Sequence, residues 1–80
     1  MREVTVGRGS ACYIKLLGNR KLSRVHVALT NAGAAVVVRD VGAVNGVWVG
    51  GQRLAAQQAV VAQPGQSIRL ADEELIILND

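Results

Sequence analysis

The 80 residues of the chain are half hydrophobic, enough for one domain with a modest core, and domains of this size are only marginally stable. No stretch approaches the roughly 20 apolar residues of a membrane span, so we expect no membrane segment. The single cysteine, Cys12, rules out an internal disulfide, and with one histidine the usual zinc ligand sets are missing. We therefore expect no metal site and no cofactor.

The positive charge is concentrated in the first part of the chain. Six of the nine basic residues lie within residues 1–24, where Glu3 is the only acid, whereas the remainder has a net negative charge. An anionic partner should therefore approach the N-terminal part. Residues 1–3 lead directly into a strand pattern without the features of a secretory signal, which predicts a cytoplasmic or nuclear location.

The hydrophobic pattern predicts strands along the whole chain. Apolar residues alternate with a period of two and turn residues recur at short intervals, which is typical of an all-β sandwich of two mainly antiparallel sheets. The predicted strands are Glu3 to Val6, Tyr13 to Leu17, Val25 to Thr30, Ala34 to Arg39, Val47 to Val49, Arg53 to Leu54, Val60 to Val61, Ile68 to Leu70 and Leu75 to Leu78.

Turn residues separate these strands. Asn31-Ala32-Gly33 and Gly50-Gly51 predict hairpin turns with positive φ, and Pro64-Gly65 fits the centre of a type II turn. Residues 55–59 are compatible with one helical turn. With no internal repeat or linker in the sequence, we expect a single domain spanning residues 1–80.

The first chemically informative segment is Gly7-Arg8-Gly9-Ser10, directly after the first predicted strand. Glycines on both sides let the backbone bend and leave the Arg8 guanidinium on a loop, where its planar fork can bind a phosphate. By itself this pattern is more typical of an arginine in an exposed turn. The segment lacks the third glycine of a dinucleotide-binding loop and a following helix.

The second segment, Ser23-Arg24-Val25-His26, combines a short hydroxyl with a guanidinium at the end of a loop. Both groups suit phosphate oxygens. A Ser/His pair at this spacing, with no acid to orient the ring, does not meet the requirements of a catalytic triad. We interpret His26 as a structural residue that bonds nearby backbone.

The third segment is Asn45-Gly46, a predicted turn before the strand with Trp48. The Asn side chain has both a donor and an acceptor, so it can bond the main chain of an extended peptide. Trp48 is either a stacking platform or a core residue, and its valine neighbours favour the core. Besides Trp48, Tyr13 is the only aromatic residue, which argues against single-stranded nucleic acid.

In this order, the three segments resemble the forkhead-associated (FHA) domain family: Gly7-Arg8, then Ser23 to His26, then Asn45-Gly46 before an apolar strand. Residues 64–70 and 75–78 are similar to the turn and the last strands of the family. The resemblance covers essentially the whole chain. It implies a β-sandwich that recognises phosphothreonine through loops at one end.

The resemblance also implies a role for each residue. Arg8 and Ser23 would bind the phosphate, Arg24 would add a second cationic contact, and Asn45 would hold the ligand backbone. Gly7, His26 and Gly46 would shape the loops. The expected partner is a phosphothreonine-containing protein or peptide.

Two departures from the family modify this expectation. Ala43 and Val44 stand where the family often has hydroxyl residues before Asn-Gly. Losing a hydrogen bond to a charged group weakens binding roughly tenfold or more, so we expect weak affinity. The family's first strand also has no counterpart before Glu3, which would leave an open edge for a homodimer or a strand swap.

The alternative hypothesis is a phosphate-independent interaction or assembly module of the same fold, favoured by the apolar Val44. Nucleic-acid binding rests on the basic balance alone and is unlikely. We expect no enzymatic activity, because the acidic residues Asp72, Glu73 and Glu74 have no nucleophile or base nearby in sequence and are typical of a solvated turn. Cys12 is expected to be a small buried side chain.

Overall fold

In the computed structural model, which describes residues 3–76, all regular structure is β. The nine strands in this part of the chain are β1 (Glu3–Gly7), β2 (Ile14–Lys15), β3 (Val27–Ala32), β4 (Ala35–Asp40), β5 (Val47–Val49), β6 (Gln52–Arg53), β7 (Ala59–Ala62), β8 (Ser67–Leu70) and β9 (Glu73–Ile76). The prediction of an all-β fold is therefore confirmed. These residues contain no helix that is long and apolar enough to cross a membrane.

The strands form two sheets. The five-stranded sheet has the order β2-β1-β3-β4-β7 and the four-stranded sheet the order β6-β5-β8-β9. All pairs are antiparallel except β1 with β2, which run parallel with Val6 opposite Ile14. The expected arrangement of two mainly antiparallel sheets is confirmed.

The core lies between the two sheets and is built from small aliphatic side chains. Each sheet contributes alternate residues of its strands, as the period-two pattern predicts. The buried hydrophobic cluster consists of Val6, Leu22, Val27, Val38, Val47, Val49, Leu54, Ala62, Ile68 and Leu70. Leu22 belongs to a loop, so the loop before β3 is anchored in the core by its own side chain.

Turn chemistry matches the sequence in two of the three predicted turns. Gly50 and Gly51 have positive φ between β5 and β6, and Gly65 has a φ of 87° after Pro64, as a type II turn requires. The turn between β3 and β4 lies at Gly33 and Ala34, because β3 continues through Ala32. The turn predicted at residues 31–33 was therefore placed too early.

Some further boundaries differ from the predictions. Residues 55–59 contain a tight turn and not a helical one, with a φ of 67° at Gln57. β3 begins at Val27, so Val25 and His26 lie in the preceding loop. The acidic run is divided, since Glu73 and Glu74 belong to β9 and only Asp72 lies in the turn. The last predicted strand extends beyond the described residues at Ile77 and Leu78.

Trp48 was wrongly predicted to be a core side chain. In β5, Val47 and Val49 are buried and Trp48 between them is only partly buried. Its ring lies on the outer face of the four-stranded sheet because successive side chains of a strand point to opposite faces. Cys12, in contrast, is buried as expected, at 3% exposure.

Candidate functional site

Three loops meet at one end of the sandwich. The first loop (residues 8–13) follows β1, the second (residues 16–26) precedes β3, and the third (residues 41–46) joins β4 to β5. Backbone bonds run from Arg8 N to Ser23 O (3.2 Å) and from Gly9 N to Arg24 O (2.9 Å). The third loop joins them through Val44 N, which donates to Ser23 Oγ at 3.2 Å. The predicted site residues therefore lie on neighbouring loops.

Arg8 is fixed by its own side chain. Its Nε donates to the carbonyl oxygen of Leu22 at 2.6 Å, and Leu22 is buried in the core. Among the described residues, no hydrogen-bond or ion-pair partner is found for its two terminal nitrogens. The guanidinium is therefore held beside Ser23 with donors left over for an anion.

Gly7 and Gly9 permit the close approach of the first two loops. A Cβ at Gly7 would overlap the carbonyl oxygen of Arg24, and one at Gly9 would lie 2.8 Å from the same oxygen. The glycines beside Arg8 are thus explained by backbone packing. This supports the predicted structural role of Gly7, since any side chain would separate Arg8 from the second loop.

Ser23 connects all three loops. Its N–H donates to His26 Nδ1 (3.0 Å), its carbonyl accepts from Arg8 N, and its hydroxyl oxygen accepts from Val44 N. A serine hydroxyl can donate one hydrogen bond while it accepts another. The Ser23 proton therefore remains available to a ligand oxygen.

Arg24 lies at the rim of a depression of about 560 Å³, lined also by Arg8, Ala11, Cys12 and Val25. Its side chain is exposed, and its carbonyl oxygen accepts from Gly9 N and from Cys12 Sγ, the latter at 2.8 Å. Two arginines thus line one cavity. The arrangement suits a ligand with more than one negative charge.

Asn45 is exposed and its Nδ2 donates to the carbonyl oxygen of Lys21 at 2.8 Å. This bond ties the third loop to the second and orients the amide. The Oδ1 atom has no partner among the described residues, so it can accept a bond from a ligand N–H. The turn itself is centred on Val44 and Asn45, one residue earlier than predicted, with Gly46 N bonded to Ala43 O at 3.4 Å.

His26 is completely buried and bridges two loops. Its Nδ1 accepts from Ser23 N at 3.0 Å, and Nε2 lies 2.7 Å from the carbonyl oxygen of Gly46. The partners require the tautomer with the proton on Nε2, because Nδ1 accepts and a carbonyl cannot donate. The ring is therefore part of the scaffold that joins Ser23 to Gly46.

Gly46 is required for two reasons. Its φ is 85°, which disfavours any residue with a Cβ. An added Cβ would also lie 2.8 Å from Cη2 of Trp48 and 3.1 Å from Nε of Arg53. The Trp48 ring thus packs against the backbone of the third loop.

The departure from the family at Ala43 and Val44 falls within the site. Val44 is 81% exposed, and its backbone bonds the hydroxyl of Ser23. An apolar side chain therefore stands beside the candidate phosphate-binding groups. It offers contact area to a ligand but no hydrogen bond.

Sequence reasoning missed Asp40, which shapes the third loop. Its side chain is 4% exposed, and Oδ1 accepts from Gly42 N (2.7 Å) and Ala43 N (2.9 Å). The signal was present in the sequence, because an Asp two residues before a Gly is typical of an Asx turn. The carboxylate holds the backbone from which Val44 and Asn45 project.

Asp72 was also missed as a support of the second loop. It accepts from Asn19 Nδ2 at 2.6 Å and pairs with Lys21 Nζ at 3.3 Å. The bond from Asn19, followed by that from Lys21, lowers the pKa of the Asp72 carboxyl below its ordinary value of 3.8. No local pattern predicts this pairing, since the partners lie about fifty positions apart in the chain.

Within residues 3–76, no three histidine, cysteine, aspartate or glutamate side chains are grouped so that they could hold a metal ion. The site consists of cations, a hydroxyl, an amide and backbone groups. Such a set binds anions by charge-assisted hydrogen bonds. It contains no arrangement of nucleophile and general base.

Comparison with known proteins places this geometry in a family. A model of the FHA domain matches residues 4–71, which includes all seven predicted site and loop residues. The chain belongs to the FHA domain family. A comparison with curated proteins found no match.

Solved structures of FHA domains are similar over nearly the whole chain. Mycobacterium tuberculosis EmbR, in complex with a low-affinity phosphopeptide, has 28% identity and a TM-score of 0.83; the match covers 98% of this chain and 20% of EmbR. The FHA domain of FhaA, complexed with the intracellular domain of Rv3910, has 26% identity and a TM-score of 0.80; the match covers 95% of this chain and 81% of that one.

The N-terminal FHA domain of S. cerevisiae Rad53p, in complex with a phosphothreonine peptide, has 23% identity and a TM-score of 0.80, covering 99% of this chain and 68% of that one. At this identity the similarity shows the fold alone. The chain spans about a fifth of the EmbR structure.

Proposed function

We propose that this FHA domain binds phosphothreonine-containing segments of other proteins and performs no chemistry on them. One observation carries the proposal: at the same end of the domain, Arg8, Ser23 and Asn45 each use one group to hold the loops and keep another that has no partner among the described residues. The phosphopeptide complexes of EmbR and Rad53p support it.

Each residue has a distinct role in this proposal. The terminal nitrogens of Arg8 and the hydroxyl of Ser23 bind phosphate oxygens, and Arg24 adds a second positive charge at the rim. Asn45 Oδ1 accepts a main-chain N–H of the ligand. Gly7, His26 and Gly46 hold the three loops in place.

We expect the affinity to be weak because Val44 offers no hydroxyl. A hydrogen bond to a charged group contributes about 1.5 to 3 kcal/mol, which corresponds to roughly tenfold or more in the dissociation constant. The low-affinity phosphopeptide bound by EmbR is compatible with such binding within the family.

The test is a titration of a degenerate phosphothreonine peptide library and its unphosphorylated copy against the wild type and Arg8→Ala. Binding that requires both phosphate and Arg8 is expected. Equal binding of both libraries, or binding of neither, would refute phosphate recognition while leaving the fold unaffected.

The second candidate is a phosphate-independent interaction module, and the exposed Val44 favours it. In that case Val44→Ala weakens partner binding, and Arg8→Ala does not.

The cytoplasmic or nuclear location stays a prediction.

Self-association also stays a prediction. The open edge was predicted at the N-terminal strand, but β1 is paired on both sides, with β2 and with β3. Within the described residues β9 is an edge of the four-stranded sheet, and an unpaired edge can pair with another chain. Sedimentation over a range of concentrations tests it: a homodimer or strand swap increases the average mass with concentration, and a constant monomer mass would exclude it.

A further inference from the structure

The outer face of the four-stranded sheet carries a row of side chains that the proposed function does not use. Trp48 in β5 lies opposite Arg53 in β6 and opposite Arg69 in β8, and Arg69 lies opposite Glu74 in β9. Because β5 is between β6 and β8, the tryptophan is flanked by an arginine on each side. We call Arg53, Trp48 and Arg69 the arginine–tryptophan row.

Both guanidiniums contact the ring. The Cζ atom of Arg69 lies 4.1 Å from the centroid of the Trp48 ring, and that of Arg53 lies 5.2 Å from it. These distances are within the range of cation–π attraction, which holds the guanidinium against the ring. The contacts therefore restrict two side chains that are otherwise flexible, and ordering them beforehand lowers the entropic cost of binding a ligand.

The donors of the two arginines remain available. Both side chains are exposed, and the ion pairs found among the described residues, Lys21–Asp72 and Arg39–Glu3, include neither of them. Arg69 does not pair even with Glu74, its cross-strand neighbour. A depression of about 260 Å³, lined by Trp48, Gly51, Ser67, Arg69 and Glu74, adjoins the row.

The geometry points to a second recognition surface at the arginine–tryptophan row, which binds an acidic segment of a protein partner through its Asp or Glu carboxylates. A guanidinium above a ring face keeps its N–H groups in its own plane, where they can bond a carboxylate bidentately. The aliphatic part of such a segment covers the exposed edge of Trp48. This surface requires no phosphate and is distinct from the three-loop site, which consists of Arg8, Ser23, Arg24 and Asn45.

The charges of the row favour a peptide over nucleic acid. Glu74 lies opposite Arg69, next to the end of the row. The phosphates of a nucleic acid that bound Arg53 and Arg69 would therefore be repelled by the neighbouring Glu74 carboxylate. Trp48 has its ring occupied by the two arginines and is the only aromatic side chain of the row, whereas single-stranded nucleic acid requires free successive rings. Separate carboxylates on a flexible peptide can reach Arg53 and Arg69 and avoid Glu74.

The row is connected to the three-loop site by Gly46. Trp48 and Arg53 pack against this glycine, which directly follows Asn45. A partner held at Asn45 can therefore extend onto the row without leaving the surface. Two weak contacts on one partner would then reinforce each other through effective concentration.

The test uses an unphosphorylated peptide with Asp and Glu at alternate positions, and a control peptide with Asn and Gln in their place. Trp48 is the only tryptophan, so its fluorescence and its indole N–H resonance report binding at the row directly. We expect the acidic peptide to shift both signals, and Arg53→Gln with Arg69→Gln to weaken its binding about tenfold, as the loss of two solvent-exposed ion pairs implies.

Two controls make the result specific. Lys15→Gln with Arg20→Gln removes the same charge from exposed positions elsewhere and should change the affinity less than about twofold, as expected for distant screened charges. Arg8→Ala should leave acidic-peptide binding unchanged, which separates the row from the phosphothreonine proposal.

Three outcomes would overturn the inference: unchanged Trp48 signals, equal binding by the double arginine variant, or tighter binding of a single-stranded oligonucleotide at the same residues. If the double variant does not fold, acidic-peptide binding by the two single variants tests the inference. The shifts of the Arg53 and Arg69 Nε resonances on adding the peptide to the wild type test it as well.

Discussion

Three polar side chains of the three-loop site, those of Arg8, Ser23 and Asn45, divide their hydrogen-bonding groups between structure and ligand. Arg8 uses Nε for Leu22 and keeps its terminal nitrogens; Ser23 accepts with its oxygen and keeps its proton. Asn45 donates with Nδ2 and keeps Oδ1. Because one group is already fixed, little side-chain entropy remains to be lost on binding.

Val44→Thr should strengthen phosphopeptide binding by up to about tenfold, because threonine places a hydroxyl where valine has only methyl groups. Isothermal titration of one phosphopeptide with both proteins measures the change. Val44→Ala is the control, because it removes the apolar contact and adds no hydroxyl. An affinity that does not rise in Val44→Thr would show that this position does not reach the phosphate.

Asp40→Ala should lower the free energy of unfolding by about 2 to 4 kcal/mol, because two backbone N–H groups lose a charged, buried acceptor. Asp40→Asn should cost less, since the amide oxygen can still accept from Gly42 and Ala43. Urea denaturation of the three proteins measures the difference. Equal losses in both variants would contradict the Asx-turn role.

At the scale of elements, the second loop is held from three sides: by β1 and the first loop through Gly7 and Arg8, by the third loop through its bond with His26, and by the turn before β9 through Asp72. None of these contacts is local in sequence. The loop can therefore keep a defined shape only after both sheets have formed.

His26→Phe should lower the free energy of unfolding by about 2 to 4 kcal/mol, since it keeps a ring but leaves Ser23 N–H and Gly46 C=O without their partner. It should also weaken phosphopeptide binding, because Ser23 and Asn45 lose their common support. Cys12→Ala, a buried change between the first and second loops, is the control and should cost less. Unchanged affinity in a folded His26→Phe protein would refute the bridging role.

Asp72→Asn should alter the acid dependence of stability. The Asp72 pKa is lowered in the folded state by Asn19 and Lys21, so its contribution is present above the ordinary pKa and is lost as pH falls through the lowered value. We expect the wild type to exceed the variant in stability at neutral pH and the difference to vanish at strongly acidic pH. Urea denaturation from neutral to strongly acidic pH measures the difference in stability between the two proteins. A difference that does not depend on pH would contradict the ion pair.

For the whole molecule, charge asymmetry should govern association. The net positive charge of residues 1–24 surrounds the loops with Arg8 and Arg24, so the association rate with a phosphopeptide should fall as salt rises from about 0.05 to about 0.5 M. The dissociation rate should change less. Stopped-flow kinetics measures both; an association rate insensitive to salt would contradict electrostatic steering.

Much of the fold follows from local sequence. Alternating apolar residues and turn glycines predicted the strands, and the resemblance to the FHA family implied that Arg8, Ser23 and Asn45 lie on loops at one end. The structure adds backbone bonds that join Arg8 to Ser23 and Gly9 to Arg24. Local patterns succeed here because strand periodicity and turn chemistry involve only neighbouring residues.

Only the tertiary structure shows which face of the four-stranded sheet carries Trp48 and which groups support the loops. In a strand of three apolar residues both faces are apolar, so alternation does not tell which one meets the core. The acceptors of Arg8 and Asn45 are backbone carbonyls, which every residue has. The partnership of Asp72 with Asn19 depends on two sheets packing together, because sequence periodicity specifies the faces of a strand and not what lies opposite them.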